Sequence, residues 1–174
     1  IENSSAAVAI ASEAFMPFVA EATDGLELRM IGEPAEFDAL AESAEALPRI
    51  EPDDSSYLQY TSGSTRFPRG VIITHRSVMS NLSGIIAHGV KIGEGDRCFS
   101  WLPFYHDMGL VGLVLVPVAS QTSVDYMDTR DFAMRPRQWL SLMSQTKATI
   151  SFSPSFGYEL CARRLREGEA ARYD

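Results

Sequence analysis

The chain has 174 residues, 45% of them hydrophobic and 22% charged, which suffices for a domain with a real core and excludes a disordered chain. Its formal net charge of -8 argues against non-specific binding of nucleic acid or of an anionic membrane. The two cysteines, Cys98 and Cys161, exclude a disulfide framework and a zinc motif, and fit a reduced, cytoplasmic setting.

The elements follow in chain order. Ala7 to Ala11 is a short apolar run that predicts a buried strand. Ser12 to Thr23 carries Ala14, Phe15, Phe18 and Val19 at helical spacing. Leu26 to Ile31 alternates and predicts a second strand after Asp24-Gly25. Together they form a βαβ unit with a right-handed crossover, assigned to residues 1–50. Phe37 to Leu47 predicts a surface helix closed by Pro48. After a polar linker over Glu51 to Ser56, residues 51–174 form the second portion. Strands are predicted over Tyr57–Tyr60 and Val71–Thr74, making a hairpin around a loop at 61–70. Helices are predicted over Ser77–His88, Met108–Ala119, Arg135–Gln145 and Pro154–Arg166. Strands are predicted over Arg97–Trp101, Thr122–Met127 and Ala148–Phe152. Strands alternating with helices predict an α/β layered sandwich on a parallel sheet.

Met108–Ala119 is apolar nearly all round, which predicts burial, and is too short to span a bilayer. Trp139, Leu142 and Met143 are spaced as a core stripe, and Cys98 reads as a small buried side chain. Arg163, Arg164 and Arg166 read as a solvated helix face. His75 and His88 have no metal-ligand spacing. The chain starts at Ile1 with no basic leader and stops at Asp174, which reads as a piece of something longer.

The loop Thr61-Ser62-Gly63-Ser64-Thr65-Arg66-Phe67-Pro68-Arg69-Gly70 carries the most chemistry. Holding phosphate oxygens takes inward backbone N–H groups, small donors and positive charge. Gly63 lets the backbone approach closely, and Thr61, Ser62, Ser64 and Thr65 supply hydroxyls. Arg66 and Arg69 supply charge with bidentate geometry. Neither a Walker A loop nor a GxGxxG fingerprint is present. The bland alternative is a polar turn without a ligand, since these residue types favour turns on conformational grounds. A second segment, Ser100-Trp101-Leu102-Pro103-Phe104-Tyr105-His106-Asp107-Met108-Gly109-Leu110, runs from a strand end through a proline-aromatic turn into the apolar helix. Asp107 stands where an N-cap belongs. His106 is a loop imidazole able to donate to a phosphate or carboxylate oxygen near neutral pH.

The ordered run Thr-Ser-Gly-Ser-Thr-x-x-Pro-Arg-Gly-Val resembles the phosphate-binding signature of the adenylate-forming superfamily. Arg66 stands where many members carry glycine, as in a variant common among fatty acyl-AMP ligases. Arg69 stands where most carry lysine. Trp-Leu-Pro-x-Tyr-His-Asp-Met-Gly-Leu resembles the next core motif in its fatty acyl-AMP ligase form. Ser151-Phe152-Ser153-Pro154-Ser155-Phe156-Gly157-Tyr158-Glu159-Leu160 resembles, less specifically, a segment near that family's acyl pocket.

The resemblance implies activation of a fatty acid by ATP to an acyl-adenylate. Thr61, Ser62, Gly63, Ser64, Thr65, Arg66, Arg69 and Gly70 would hold the phosphates, with magnesium sharing their charge and Thr65 as its protein ligand. His106 would lie beside the α-phosphate, Met108, Gly109 and Leu110 along the acyl tunnel, and Ser153 and Phe156 near the acyl pocket. It further implies transfer to the phosphopantetheine thiol of an acyl carrier protein or polyketide synthase, or to coenzyme A if the chain is an acyl-CoA synthetase.

The family's adenine-binding motifs, its lid domain and its catalytic lysine have no counterpart in these residues. The isolated 174 residues are therefore expected to show no ATP–pyrophosphate exchange, and exchange above background would refute that. A binding module without chemistry is the rival from another class. A serine hydrolase using Ser64, His106 and Asp107 fits poorly: no GxSxG elbow is present, and an aspartate adjacent to the histidine orients it badly.

Overall fold

The computed structural model describes residues 4–61, 69–166 and 168–173. They fall into two compact units, Ile1–Thr74 and His75–Asp174. In the first unit β1 (Val8–Ile10) pairs in parallel with β2 (Met30–Gly32), Ala9 opposite Ile31. A single 3₁₀ turn, Glu13–Phe15, and helix α1 (Met16–Ala22) connect them. The Thr23 hydroxyl closes α1 by donating to the Val19 carbonyl at 2.8 Å. The predicted βαβ unit is present, with its second strand starting at Met30 rather than Leu26, but the first strand is not buried as predicted: Val8 and Ile10 are exposed.

The surface helix predicted over 37–47 is corrected. Helix α2 spans Pro34–Asp38, and residues 41–50 form neither helix nor strand. Pro34 at the first helical position and the capping box of Glu33 and Glu36 fix the earlier start; the Glu33 N–H donates to Glu36 Oε2 at 2.7 Å. Beyond Asp38 the alanines and glutamates favour a helix, but Leu40 and Leu47 are exposed. Without a packed face, so short a segment does not offset nucleation.

Strands β3 (Ser55–Thr61) and β4 (Arg69–Thr74) form the predicted hairpin, antiparallel, with Thr61 opposite Arg69 and Tyr60 opposite Gly70. A Cβ on Gly70 would stand 3.1 Å from the Tyr60 ring, so that cross-strand pair is filled by the tyrosine alone.

The second unit opens with helix α3 (His75–Gly84), which widens into a π turn at Ile85–Gly89. Val78 and Leu82 are its buried residues. Strand β5 (Arg97–Ser100) is central. It pairs in parallel with β6 (Ser123–Tyr126) on one side and through a Cys98–Ile150 bridge on the other. The strand predicted over Ala148–Phe152 shrinks to that bridge. Ile150 gives its N–H to the Arg97 carbonyl at 3.0 Å and takes the Phe99 N–H at 2.9 Å; the Phe99 carbonyl, next in line, takes the Ser151 hydroxyl at 2.7 Å, so the ladder stops there.

A long helix links β5 to β6. It runs as α4 (Asp107–Leu110), a π turn (Val111–Leu115) and α5 (Val116–Ser120). Its predicted all-round burial is corrected: Leu113, Val116 and Pro117 are buried, whereas Val118 is 74% exposed. Helix α6 (Thr129–Met134), which the sequence reading did not anticipate, is capped by Asp128, whose Oδ1 accepts from the Arg130 N–H at 2.7 Å. Helices α7 (Arg137–Thr146) and α8 (Ser155–Arg164) complete the unit, followed by a 3₁₀ turn at Glu169–Arg172. Arg137 holds that turn through Glu169 at 2.6 Å.

The core of the second unit gathers Cys98, Phe99, Trp101, Leu113, Phe132, Trp139, Ile150 and Cys161, with Leu142 and Met143 packed on its edge. Trp139, Leu142 and Met143 are thus the core stripe their spacing predicts. Trp101 stacks on Phe132 with centroids 3.6 Å apart and planes within 6°. The Trp139 indole N–H donates to Ser151 Oγ at 3.1 Å, and that hydroxyl donates to the Phe99 carbonyl at 2.7 Å. Burial raises the Cys98 thiol above its ordinary range, with the Asp96 carboxylate adding to it. Arg163 and Arg164 are exposed, as a solvated face requires. Among the described residues no helix is long and apolar enough to cross a membrane.

Candidate active site

Strands β5 and β6 and the Ile150 bridge run parallel, so Trp101, Met127 and Ser151 all leave the sheet at one edge. That carboxyl edge is where open α/β sheets place ligands. The departing chain is tied down there. Leu102 gives its N–H to Ser100 Oγ at 3.1 Å, and Thr129 donates its hydroxyl to the Trp101 carbonyl at 2.7 Å. A turn from Pro103 to His106 follows, closed by the His106 N–H on the Pro103 carbonyl at 3.3 Å.

The N-cap of α4 is His106 rather than Asp107, which corrects the expected cap. His106 has extended backbone (φ -109°, ψ 142°), and its Nδ1 accepts from the Met108 N–H at 3.3 Å. Asp107 is the first helical residue. Its Oδ1 takes the same N–H at 2.7 Å and lies 2.7 Å from His106 Nδ1. The two Nδ1 contacts demand opposite protonation: an accepting Nδ1 is bare, and a proton on Nδ1 is donated to Asp107. A bare Nδ1 leaves the proton on Nε2, and an imidazolium paired with Asp107 also carries one there. A neutral ring whose proton sits on Nδ1 instead presents a bare Nε2, an acceptor. The imidazole is 61% exposed.

Gly109 is buried. A Cβ there would run into the Pro103 carbonyl oxygen and stand 3.2 Å from Leu102 Cβ. Met108 is half-buried against the core, and Leu110 is half-buried too. One turn on, a Cβ at Gly112 would stand 3.4 Å from the Phe152 ring. At the start of α8, Phe156 lies edge-on to Trp101 with centroids 6.0 Å apart. A Cβ on Gly157 would collide with Ser153 Oγ and approach the Trp101 ring to 2.9 Å. Ser153 donates its hydroxyl to the Pro154 carbonyl at 2.8 Å and does not cap α8, whose N-cap is Pro154. The structure therefore brings Ser153 and Phe156 to the Trp101 indole, and Gly109 to the loop that follows Trp101.

Sequence reading assigned no role to Trp101, Tyr126 or Gly157. The small residue at Gly157, four positions after Ser153, is a signal of close packing; nothing local marks Tyr126. Alanine at Gly109 is expected to destabilise the protein by about 1–3 kcal/mol through overpacking, because the obstacle is a backbone carbonyl. Thermal unfolding of the full-length variant measures this, and an unchanged midpoint would contradict the close approach.

In the first unit, Thr61 and Arg69 form the last described pair of the hairpin. Cross-strand partners share a face, so a hydroxyl and a guanidinium stand together at the hairpin mouth, with Gly70 beside them. This donor set suits phosphate oxygens. Ser62, Gly63, Ser64, Thr65 and Arg66 lie outside the described residues. Among the described residues there is no cluster of His, Cys, Asp or Glu side chains fit to hold a metal ion.

A parallel α/β unit with a histidine-capped helix at its carboxyl edge has the arrangement of an α/β enzyme domain. The chain belongs to the AMP-binding enzyme family, whose model matches residues 2–174. It is 46% identical over 137 residues to a putative acyl-CoA synthetase of Caulobacter vibrioides, covering 79% of this chain and 24% of that protein. It is 43% identical over 127 residues to the medium-chain-fatty-acid–[acyl-carrier-protein] ligase TtuA of Teredinibacter turnerae, covering 73% of this chain and 20% of that protein. A solved structure from work on fatty acyl-adenylate ligases of E. coli and L. pneumophila superposes with a TM-score of 0.89 at 58% identity. That match covers 97% of this chain and 30% of the solved one. The chain thus spans a quarter or less of the curated relatives' length.

Proposed function

We propose that the protein containing these residues activates a fatty acid with ATP to an acyl-adenylate and passes the acyl group to the phosphopantetheine thiol of a carrier protein or polyketide synthase. The observation that carries this reading is His106: an exposed imidazole at the carboxyl edge of β5, heading an apolar helix, in a chain 58% identical to a fatty acyl-adenylate ligase structure. On this reading residues 1–50 are the βαβ portion and 51–174 the core portion of the AMP-binding domain.

A carboxylate oxygen attacks the α-phosphorus and the bond to the leaving pyrophosphate breaks. The protein's part is positioning and charge stabilisation. Thr61, Ser62, Gly63, Ser64, Thr65, Arg66, Arg69 and Gly70 hold the departing phosphates. Thr65 would offer its hydroxyl to a bound magnesium ion, which would supply positive charge to the phosphates. His106 Nε2–H donates to an oxygen of the reacting carboxylate or α-phosphate. Met108, Gly109 and Leu110 with Ser153 and Phe156 line the path of the alkyl chain, where burial favours binding by roughly 0.8 kcal/mol per CH₂.

Transfer to coenzyme A is the second reading, favoured by the Caulobacter relative's name. The full-length protein, given fatty acids, ATP and magnesium with either holo carrier protein or coenzyme A, separates the two by product mass. Acyl-carrier without acyl-CoA supports the proposal. Acyl-CoA alone moves the protein to the second reading, and absence of any acyl-adenylate defeats both.

A further inference from the structure

The helix headed by His106 contains Pro117, and a proline within a helix cannot bond the carbonyl four residues back. That carbonyl belongs to Leu113. The turn around it is wound as a π turn, Val111–Leu115, closed by the Val116 N–H on the Val111 carbonyl. Such one-turn expansions displace everything before them relative to the remaining helix and recur at functional sites. The Leu113 carbonyl, on a residue with no solvent exposure, receives the Tyr126 hydroxyl at 2.6 Å. The Tyr126 ring meets Phe104 edge-to-face, with centroids 5.1 Å apart and planes at 81°. Phe104 precedes His106 by two residues and Leu113 follows it by seven. Tyr126 is itself fixed as the end of β6, in register with Ser100.

We propose that Tyr126 is the positioning residue for His106. It clamps the turn before the histidine through its ring and the expanded helical turn after it through its hydroxyl, at the Leu113 carbonyl. Tyr126 thereby sets where the imidazole and the Met108–Leu110 segment stand at the carboxyl edge. Burial raises the phenol above its ordinary range, with Cys98 adding to it, so it stays protonated as a donor at neutral pH. The inference rests on the adenylation reading for its consequence and on geometry alone for the clamp.

The test uses Tyr126→Phe in the full-length protein, which removes the hydroxyl and keeps the ring. The kcat for acyl-adenylate formation is expected to fall about tenfold, with KM for ATP within about twofold, because a misplaced donor is felt in the transition state. In a His106→Ala background the same change is expected to cost less than about twofold, as for residues acting as one unit. Hydrogen exchange over residues 107–116 is expected to speed up in Tyr126→Phe, a readout independent of activity. Faster exchange with wild-type kcat would overturn the positioning role, as would costs that multiply in the double variant. Unchanged exchange would overturn the clamp. If the unmodified protein forms no acyl-adenylate, the adenylation reading fails while exchange still decides the clamp.

Discussion

Replacing His106 with alanine in the full-length protein is expected to lower the rate of acyl-adenylate formation by about 10²–10³, the usual cost of removing one donor aimed at developing charge. KM for ATP should change little, because the interaction is made mainly as the α-phosphorus is attacked. The fold should tolerate the change. Alanine removes one acceptor of the Met108 N–H, but Asp107 Oδ1 keeps that group bonded at 2.7 Å. A steady unfolding midpoint together with a collapsed kcat would therefore place the loss in the chemistry. His106→Gln, which retains an N–H donor, should recover part of the rate. A His106→Ala enzyme within about threefold of wild type would remove His106 from the mechanism and leave it as a helix cap.

The second large effect is structural. Trp101 is 3% exposed, stacked on Phe132 and edge-on to Trp139 and Phe156. Trp101→Ala is expected to cost about 3–5 kcal/mol, transfer and cavity contributions together. Trp101→Phe should cost far less than this. The Trp101 indole N–H is buried without a hydrogen-bond partner among the described residues, and deleting an unsatisfied donor relieves a desolvation cost of about 1–3 kcal/mol. Trp139→Phe provides the contrast, since it forfeits the bond to Ser151 at 3.1 Å. Denaturant unfolding of the three variants tests the ordering. A Trp101→Phe variant as damaged as Trp101→Ala would mean that the N–H has a partner after all. The effect reaches the candidate site because Trp101 supports Phe156 and Gly157 at the start of α8.

The α/β class, the βαβ unit and the hairpin were legible because their signals are periodic and local. Apolar runs, Asp24-Gly25 and alternating strands act within a few residues. The motif around His106 was legible for the same reason, as a contiguous string of residue types. The misreadings arise where specific packing and hydrogen bonding, rather than residue type and spacing, decide the outcome. Residues 39–47 favour a helix by propensity but have no surface to pack on. The strand at Ala148–Phe152 shrinks to one bridge because the Phe99 carbonyl that would extend it takes the Ser151 hydroxyl, which composition cannot reveal. Asp107 has the better capping chemistry, yet the turn held by Pro103 puts the extended conformation on His106.

The amino-acid sequence by itself determined the chemistry available to this protein. It placed a hydroxyl- and arginine-bearing segment between two hairpin strands, a histidine between a strand and an apolar helix, and a core stripe of Trp139, Leu142 and Met143. Those properties belong to residue types and short spacings, which survive in any arrangement of the remaining chain. The tertiary structure alone decided which atoms face one another. Trp101 became the wall shared by Ser153, Phe156 and Gly157, and Gly109 became the point where a helix meets the Pro103 carbonyl. Tyr126 became a donor to the Leu113 carbonyl inside the expanded helical turn. Packing and hydrogen bonding act over a few ångströms in space without regard to separation along the chain, so these pairings exist only once the sheet has brought its carboxyl edge together.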